Sequence, residues 1–304
     1  MLARAILLRL AESPNLKRIA GRNGLAARLA HRFVAGESLE DTLEPVRSLN
    51  ATGITASLDY LGENVHDREE AGKYAEAYMR VVAFIRQNGL QANISIKLTQ
   101  LGLDLGHTVA LENAERIVLY AAEHDCFVRI DMEGSRYTED TLNIFYALWS
   151  RTRNVGPVIQ SYLYRSEGDV EKLIAAGARV RLVKGAYSEP AQVAYQRKSE
   201  VDSQYAHLMK ELLRRGTYPA VATHDERLIR MAQTYARENA IAPNRYEFQM
   251  LYGIRRERQA SLVREGYGVR VYVPFGHEWY GYMMRRLAER PANLWFVLRH
   301  LLRR

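Results

Sequence analysis

The sequence predicts an α/β fold in which eight parallel strands close into a (β/α)8 barrel of the TIM type. Three observations support this prediction. Eight short runs of apolar and β-branched residues recur along the chain, amphipathic stretches separate them, and no Gly-x-Gly-x-x-Gly follows any run. Strands spaced by helices indicate parallel βαβ units. Eight such units match the barrel better than an open doubly wound sheet, whose nucleotide-binding fingerprint is missing.

The eight runs follow helical material that extends to about Leu49. Each run has a length that suits one buried strand. In chain order they are ITASLDYL (54–61), NISIKL (93–98), FVRIDM (127–132), VIQSYL (158–163), RVRLVKG (179–185), YPAVATH (218–224), RYEFQML (245–251) and VRVYVP (269–274).

The stretches between these runs carry helix start and stop signals. The stretch 68–89 begins with acidic residues and closes at Asn88-Gly89. In SEGDVEKLIAAG, Ser166 is a candidate N-cap and Gly177 a stop signal, and DERLIRMAQTYAREN predicts a further helix. Small polar residues bond the free amides at a helix start, and glycine accepts the left-handed conformation that ends a helix.

The chain reads as one domain overall, with a helical segment of residues 1–50 packed on a barrel of residues 51–304. No low-complexity segment or long Pro/Gly/Ser linker interrupts it. The start, MLARAILLRLAESPNLKR, is too short and too charged for a secretory signal. It predicts an amphipathic helix that could pack on the domain or lie on a membrane surface.

Composition indicates a globular protein of a reducing compartment. Apolar residues make up 47% and charged residues 26% of the chain, as in ordinary soluble domains. The single cysteine, Cys126, excludes an internal disulfide. No apolar run approaches the ~20 residues that span a bilayer. We therefore expect a cytoplasmic protein that could contact the inner membrane face peripherally.

The net charge of +8 is compatible with an anionic partner. The 43 basic residues are scattered between acidic ones without a nucleic-acid-binding motif, so nucleic acid is not an expected partner. A metal is not expected either, because His224, Asp225 and Glu226 are consecutive and no second His or Cys stands at ligand spacing. A Ser/His/Asp triad lacks its Gly-x-Ser-x-Gly elbow.

Polar side chains stand where the predicted strands end. The carboxyl ends of parallel barrel strands meet at one rim, where the chemistry of this fold takes place. This rim would surround a partly desolvated depression, here called the bowl. Several charges in such a bowl require oppositely charged partners or a ligand. Lys97 and Asp131, on neighbouring strands, are natural partners. The rim residues are Lys97, Asp131, Gln160, Arg181, Lys184, Thr223, His224, Gln249 and Tyr272.

A second cationic group lies on the predicted helix YGYMMRRLAER. Tyr282, Arg285, Arg286 and Glu289 share one of its faces, because their spacings are three, four and seven. If these arginines, Lys97, Arg181 and Lys184 all face the bowl, it is net cationic. Paired guanidinium groups bind carboxylates bidentately, and tyrosines supply flat walls. The pattern predicts a small anionic substrate with an apolar body beside a larger anionic cofactor.

At these residues the chain resembles the proline dehydrogenase family in its short, monofunctional bacterial form. The resemblance extends from about Leu58 to Leu298. A series of motifs in fixed order carries it. The motifs are SIKLTQLG, RIDME, VIQSYLYR, VRLVKGAY, ATHD, YEFQMLYG, VYVPFG and YMMRRLAERP.

The resemblance implies a distorted barrel that holds FAD at the strand carboxyl ends, with the last barrel helix over the mouth. Asp131 and Arg181 then take catalytic roles, Asp131 by holding Lys97 and Arg181 near the reactive N5 edge of the flavin. Glu63 pairs with Arg285 as a gate. The substrate-binding residues are Lys97, Tyr272, Tyr282, Arg285 and Arg286. The implied flavin contacts are Met132, Gln160, Arg181, Val183, Lys184, Gly185, Ala186, Thr223 and His224.

The implied reaction is the first step of proline catabolism. L-Proline loses a hydride from C5 to flavin N5 and becomes Δ1-pyrroline-5-carboxylate, and a membrane quinone receives the electrons. Two alternatives remain at this point. A Schiff-base aldolase would use Lys97 or Lys184 as its nucleophile, provided that the lysine pKa is depressed. A basic nucleic-acid-binding protein would bind in a strongly salt-dependent way and carry no chromophore.

Overall fold

Eight parallel strands close into a barrel in the order β1 to β8, with β8 paired to β1. The structure is a computed structural model that describes residues 32–62 and 65–282. The predicted (β/α)8 barrel is confirmed, and every predicted run overlaps an observed strand. The strands are β1 (Thr55–Tyr60), β2 (Ala92–Ile96), β3 (Val128–Ile130), β4 (Val155–Gln160), β5 (Arg181–Val183), β6 (Ala220–Ala222), β7 (Glu247–Leu251) and β8 (Gly268–Phe275).

Helices alternate with the strands throughout the described ranges. Helix α1 precedes β1, and helices α2 to α8 follow β1 to β7 in turn. They are α1 (Leu43–Ala51), α2 (Arg68–Gln87), α3 (His107–Glu123), α4 (Thr138–Trp149), α5 (Ser166–Ala175), α6 (Lys198–Arg215), α7 (Glu226–Glu238) and α8 (Arg256–Arg264). Short 3-10 turns lie at Glu40–Thr42, Leu103–Leu105, Ser135–Tyr137 and Pro243–Arg245.

Most of the predicted helix ends are observed. The Asp67 side chain caps α2 by accepting the Glu70 amide, and Asp225 caps α7 by accepting the Arg227 amide. Gly177 follows α5 with φ of 73°. The predicted Ser166 N-cap is wrong. Ser166 is the first helical residue of α5, and its hydroxyl donates to the Gln160 carbonyl at 2.6 Å instead.

The fourth strand lies three residues earlier than predicted. It starts at Val155 rather than Val158, because Gly156 and Pro157 pair with β3 despite their poor strand propensity. The Pro157 carbonyl accepts a hydrogen bond from Arg129 at 3.0 Å. After Gln160 the chain turns, so Ser161, which belongs to the predicted run 158–163, lies outside the strand.

The barrel interior is polar, whereas the residues that face the helices are apolar. Leu58, Ile94 and Val128 alternate with inward-facing residues and are completely buried. Inside the barrel, the Arg181 guanidinium reaches from β5 to the Ser95 hydroxyl on β2, 3.2 Å away. A second polar layer nearer the amino ends of the strands contains the Glu247–Arg270 ion pair at 3.0 Å. Glu247 and Arg270 are therefore paired inside the cylinder, whereas the buried Arg129 donates to backbone carbonyls.

Several predictions fall on residues outside the described ranges. They are the amphipathic start, the position of the last barrel helix over the mouth, Glu63, Arg285, Arg286 and Glu289. The last helical turn that the structure describes covers residues 279–282 and includes Tyr282, which is buried. In residues 32–62 and 65–282, every helix is too short or too polar to cross a bilayer.

Candidate active site

Asp131 occupies the centre of the polar cluster at the carboxyl end of the barrel. It follows β3 directly, and its two carboxylate oxygens have different partners. Oδ1 accepts a hydrogen bond from Arg181 at 2.8 Å, and Oδ2 accepts one from the Tyr272 hydroxyl at 2.7 Å. Lys97 Nζ lies 3.5 Å from Oδ2, so the predicted Lys97–Asp131 pair is present. The structure thus brings together Lys97 and Asp131, which follow β2 and β3, with Arg181, the first residue of β5, and Tyr272 within β8.

Lys97 has a closer carboxylate partner that the sequence analysis missed. Its Nζ donates to Oδ1 of Asp59, on β1, at 2.6 Å, and it also donates to the Tyr272 hydroxyl at 3.2 Å. Asp59 is fully buried. One sequence signal could have identified it, because aspartate is depleted in strands and Asp59 stands inside the apolar run ITASLDYL. A buried carboxylate in such a run requires a cation.

Burial and charge pairing act in opposite directions on this cluster. Burial raises the pKa of Asp59, and the charge of Lys97 only partly offsets this. For Lys97, burial lowers the pKa, but Asp59 and Asp131 together outweigh it, so the pKa is raised. Burial and then Asp131 raise the pKa of Tyr272 well above its ordinary value. Lys97 is therefore a cation at neutral pH, and Tyr272 is a neutral donor.

The expected cations at the rim that the structure describes are all paired with carboxylates. Lys97 and Arg181 are balanced by Asp59 and Asp131. Lys184 donates to two further carboxylates, Asp202 at 2.5 Å and Asp225 at 3.2 Å. The strand-end pattern of the sequence did not indicate Asp59 on β1, Asp202 near the start of α6 or Asp225 before α7 as partners of these cations. The expected net positive charge also depends on Arg285 and Arg286, which lie outside the described ranges.

Gln160 and Met132, two of the expected cofactor contacts, lie buried at the ends of β4 and β3. Gln160 Nε2 donates to the Glu133 carbonyl at 2.8 Å. The Glu133 carboxylate in turn accepts the Thr99 amide at 3.1 Å and the Thr99 hydroxyl at 2.6 Å. These bonds lock the loops after β2, β3 and β4 to one another, so the rim is rigid here.

The loop after β5 passes very close to an aromatic ring. Gly185 has φ of 117°, and a Cβ at this position would lie 2.4 Å from ring carbons of Tyr162. A side chain is therefore excluded by conformation and by space. Val183 is half-buried beside it, and Ala186 is exposed at the rim. At Gly185 the loop therefore presents its backbone rather than a side chain.

Thr223 and His224 are held by the backbone at the end of β6. Nε2 of His224 accepts the Leu251 amide at 2.9 Å, and the His224 carbonyl accepts from Arg255 at 2.7 Å. An accepting Nε2 carries no proton, so a neutral imidazole is protonated at Nδ1. The Thr223 hydroxyl accepts the Asp225 amide at 3.1 Å. Both side chains are fixed in position.

Comparison with known proteins identifies a family. The family model for proline dehydrogenase matches residues 42–299. Proline dehydrogenase 1 of Bacillus subtilis subsp. natto is 43% identical over 275 residues, which cover 90% of this chain and 91% of the relative. Proline dehydrogenase of Deinococcus radiodurans is 40% identical over 307 residues, covering 99% and 98%. The resemblance found in the motifs is confirmed.

A solved structure has the same fold. Proline utilization A (PutA) from Bdellovibrio bacteriovorus, inactivated by N-propargylglycine, superposes with a TM-score of 0.81 at 27% identity. The superposition covers 87% of this chain but only 33% of the PutA chain. The present chain thus spans about a third of that larger protein.

Proposed function

Because the chain belongs to the proline dehydrogenase family and is an enzyme of proline catabolism, we propose that it oxidises L-proline to Δ1-pyrroline-5-carboxylate, with FAD as the hydride acceptor and a membrane quinone as the final electron acceptor. One observation carries the proposal in the structure. A rigid cluster of Lys97, Asp59, Asp131, Arg181 and Tyr272 lies at the carboxyl-end mouth of the barrel. Catalytic groups of this fold occupy that end.

We assign the substrate carboxylate to Lys97, with Arg285 and Arg286 as further partners by family resemblance. Lys97 is 14% exposed in its side chain, whereas its partner Asp59 has no exposed side-chain surface. The Lys97 ammonium can therefore contact a ligand while the buried Asp59 carboxylate fixes its position. Tyr272, with Tyr282, is proposed to pack against the apolar ring of proline. Substrate recognition then combines charge at one end with an apolar wall at the other.

Asp131 and Arg181 orient the site. The Asp131–Arg181 pair holds both side chains in one geometry, and the Arg181 guanidinium lies 5.4 Å from the Tyr272 ring centroid. Ordered groups of this kind place the C5–H bond of proline with little loss of entropy at the moment of reaction. We propose that Arg181 faces the N5 edge of the cofactor.

The rim fits a flavin on two observations. Nε of Arg181 is buried without a hydrogen-bond partner among the described residues, and buried polar groups normally have one. Gly185 keeps the end of β5 free of a side chain. When bound, the flavin supplies the two-electron redox chemistry. The residues that would hold it are Met132, Gln160, Arg181, Val183, Lys184, Gly185, Ala186, Thr223 and His224.

The proposed electron acceptor places the enzyme at a membrane surface. A quinone dissolved in the bilayer requires at least transient peripheral contact, so we propose a cytoplasmic protein that visits the inner membrane face. Glu63 and Arg285 are proposed to close the site as a gate, which would exclude water from the reduced cofactor.

The Schiff-base alternative is disfavoured by the electrostatics of Lys97. A nucleophilic lysine must be neutral, which requires a lowered pKa. Asp59 and Asp131 overcome the effect of burial and raise the pKa of Lys97 instead. Lys184 also lies between two carboxylates, Asp202 and Asp225. Neither lysine stands in a setting that suits imine formation.

The test is an absorbance spectrum of the purified protein before and after anaerobic addition of L-proline. We expect a flavin spectrum whose visible band bleaches with L-proline and not with D-proline. A colourless protein that cannot be loaded with FAD, or a flavin band unchanged by L-proline, would overturn the proposal. Flavin should also be released on denaturation, since Cys126 is buried and Nε2 of His224 already accepts the Leu251 amide.

A further inference from the structure

Asp59 is a buried carboxylate whose contacts serve Lys97. Its Oδ1 lies 2.6 Å from Lys97 Nζ, and its Oδ2 is buried without a hydrogen-bond partner among the described residues. Strand β1 holds it rigidly, since the neighbouring Leu58 is completely buried in the helix layer. A carboxylate removed from water and paired with one cation is stable only while that cation stays in place.

We propose that Asp59 is the positioning residue that fixes Lys97 Nζ in the substrate-carboxylate subsite and holds it in the charged form. The proposal rests on the proposed function, because it assigns Lys97 to the proline carboxylate. It separates the duties of the two aspartates. Asp59 controls Lys97, while Asp131 links Arg181 to Tyr272.

Asp131 cannot take over this duty. Its two oxygens already accept from Arg181 at 2.8 Å and from Tyr272 at 2.7 Å, and Lys97 lies further away at 3.5 Å. Asp131 also keeps some exposure, whereas Asp59 has none. The interaction of Lys97 with Asp59 is therefore both shorter and less screened.

The charged and titratable groups that face Lys97 come from several elements. They are Asp59 on β1, Asp131 after β3, Tyr187 in the loop after β5 and Tyr272 on β8, and Arg181 on β5 is bonded to Asp131. Burial lowers the pKa of Lys97, and the two aspartates raise it. Without the charge of Asp59, burial is opposed mainly by Asp131, so Lys97 should lose its proton at a lower pH. The affinity for a carboxylate should then fall as the pH rises.

The test is the pH profile of proline oxidation by Asp59→Asn, an isosteric change that keeps the size of the buried side chain. We expect a KM for L-proline about tenfold above wild type at pH 9, with most of the difference lost near pH 6.5, because Lys97 is recharged there. The matched control is Asp169→Asn. Asp169 is another buried, ion-paired aspartate, which lies on α5 and bonds to Arg165 at 2.7 Å. Its profile should match wild type.

A profile of Asp59→Asn that parallels wild type at every pH would overturn the proposal. So would a KM raised equally at all pH values, because that result would indicate a purely structural role. Circular dichroism and flavin content show whether the variant is folded.

A second measurement compares the wild-type protein with Asp59→Asn and does not depend on activity. Acetic anhydride labels neutral lysines, and mass spectrometry can compare Lys97 with the control Lys210 in the same sample between pH 7 and pH 10. In the folded wild-type protein we expect Lys97 to be labelled far more slowly than in the denatured protein. In Asp59→Asn, labelling of Lys97 should begin at a lower pH. Equal onset in both proteins contradicts the inference. If proline fails to bleach the flavin, the proposed function fails while this result still reports on the Asp59–Lys97 pair.

Discussion

The Tyr272 hydroxyl donates to Asp131 at 2.7 Å and so joins the last strand of the barrel to the end of the third. The same hydroxyl accepts from Lys97 at 3.2 Å. One phenol therefore connects the carboxylate that orients Arg181 with the ammonium proposed to bind substrate. The site behaves as one network, in which the loss of one member exposes unpaired charge on another.

Tyr272→Phe should lower kcat/KM for proline by roughly tenfold. The ring and its packing remain, but Asp131 loses a charge-assisted hydrogen bond, which is worth about 1.5–3 kcal/mol. Steady-state kinetics will measure the change. The control Tyr235→Phe alters a tyrosine on α7 that packs against Lys210 and should leave the kinetics unaltered. Wild-type kinetics in Tyr272→Phe would show that the hydroxyl does not couple the network.

Gly185→Ala should destabilise the protein by about 2 kcal/mol or more and reduce its flavin content. The residue has φ of 117°, and the added methyl group would meet Tyr162. The measurements are thermal unfolding and the flavin-to-protein absorbance ratio. Gly168→Ala is a matched control, because its Cβ meets no atom within 4 Å and it lies in helix α5. That variant should be unchanged or more stable by up to ~1 kcal/mol. Normal stability and flavin content in Gly185→Ala would contradict the close approach of Gly185 to the Tyr162 ring.

Gln100→Leu should lower the free energy of unfolding by about 1–3 kcal/mol, because it leaves buried partners unpaired. Gln100 is fully buried and donates to the carbonyls of Tyr60 at 2.7 Å and Gly62 at 2.8 Å, while accepting from Tyr78 at 2.9 Å. Urea unfolding will measure the loss.

Turnover should fall as well in Gln100→Leu, because the loop that Gln100 holds leads directly to the proposed gate residue, Glu63. The control is Gln233→Leu, at a half-buried glutamine bonded to Glu265 and Arg258 near the surface, which should lose less stability than Gln100→Leu. Equal stability of the two variants would argue against the anchoring role of Gln100.

Asp225 should contribute to a loss of stability in acid. Burial tends to raise its pKa, but hydrogen bonds from Lys184 and from the Arg227 amide outweigh this and lower the pKa to about 2. A carboxylate with a depressed folded-state pKa stabilises the fold above its unfolded value near 4, and the contribution disappears as the pH falls towards about 2. Asp225→Asn should therefore be less stable than wild type at pH 6 and lose less stability between pH 4 and pH 2. Urea midpoints across this range will test it, and parallel curves would contradict it.

The alternation of apolar runs with amphipathic stretches predicted the barrel correctly, because strand and helix periods are local properties of the chain. The positions of Lys97 and Asp131 at strand carboxyl ends also followed from the sequence. Arg181 was expected at such an end but is the first residue of β5, and Tyr272 lies within β8. The start of β4 was placed three residues late, because pairing with β3 overrides the weak strand propensity of Gly156 and Pro157.

The sequence by itself determined the fold, the family and several polar residues of the site, but not Asp59. Only the tertiary structure decided which of them pair. Tyr272 and Asp131 stand 141 positions apart, and Lys97 and Asp59 stand 38 apart. Local periodicity determines on which face of a strand a side chain lies, but barrel closure and register determine which side chains meet. For this reason the sequence indicated the cations Lys97 and Arg181, and only the folded chain shows that Asp59 and Asp131 balance them.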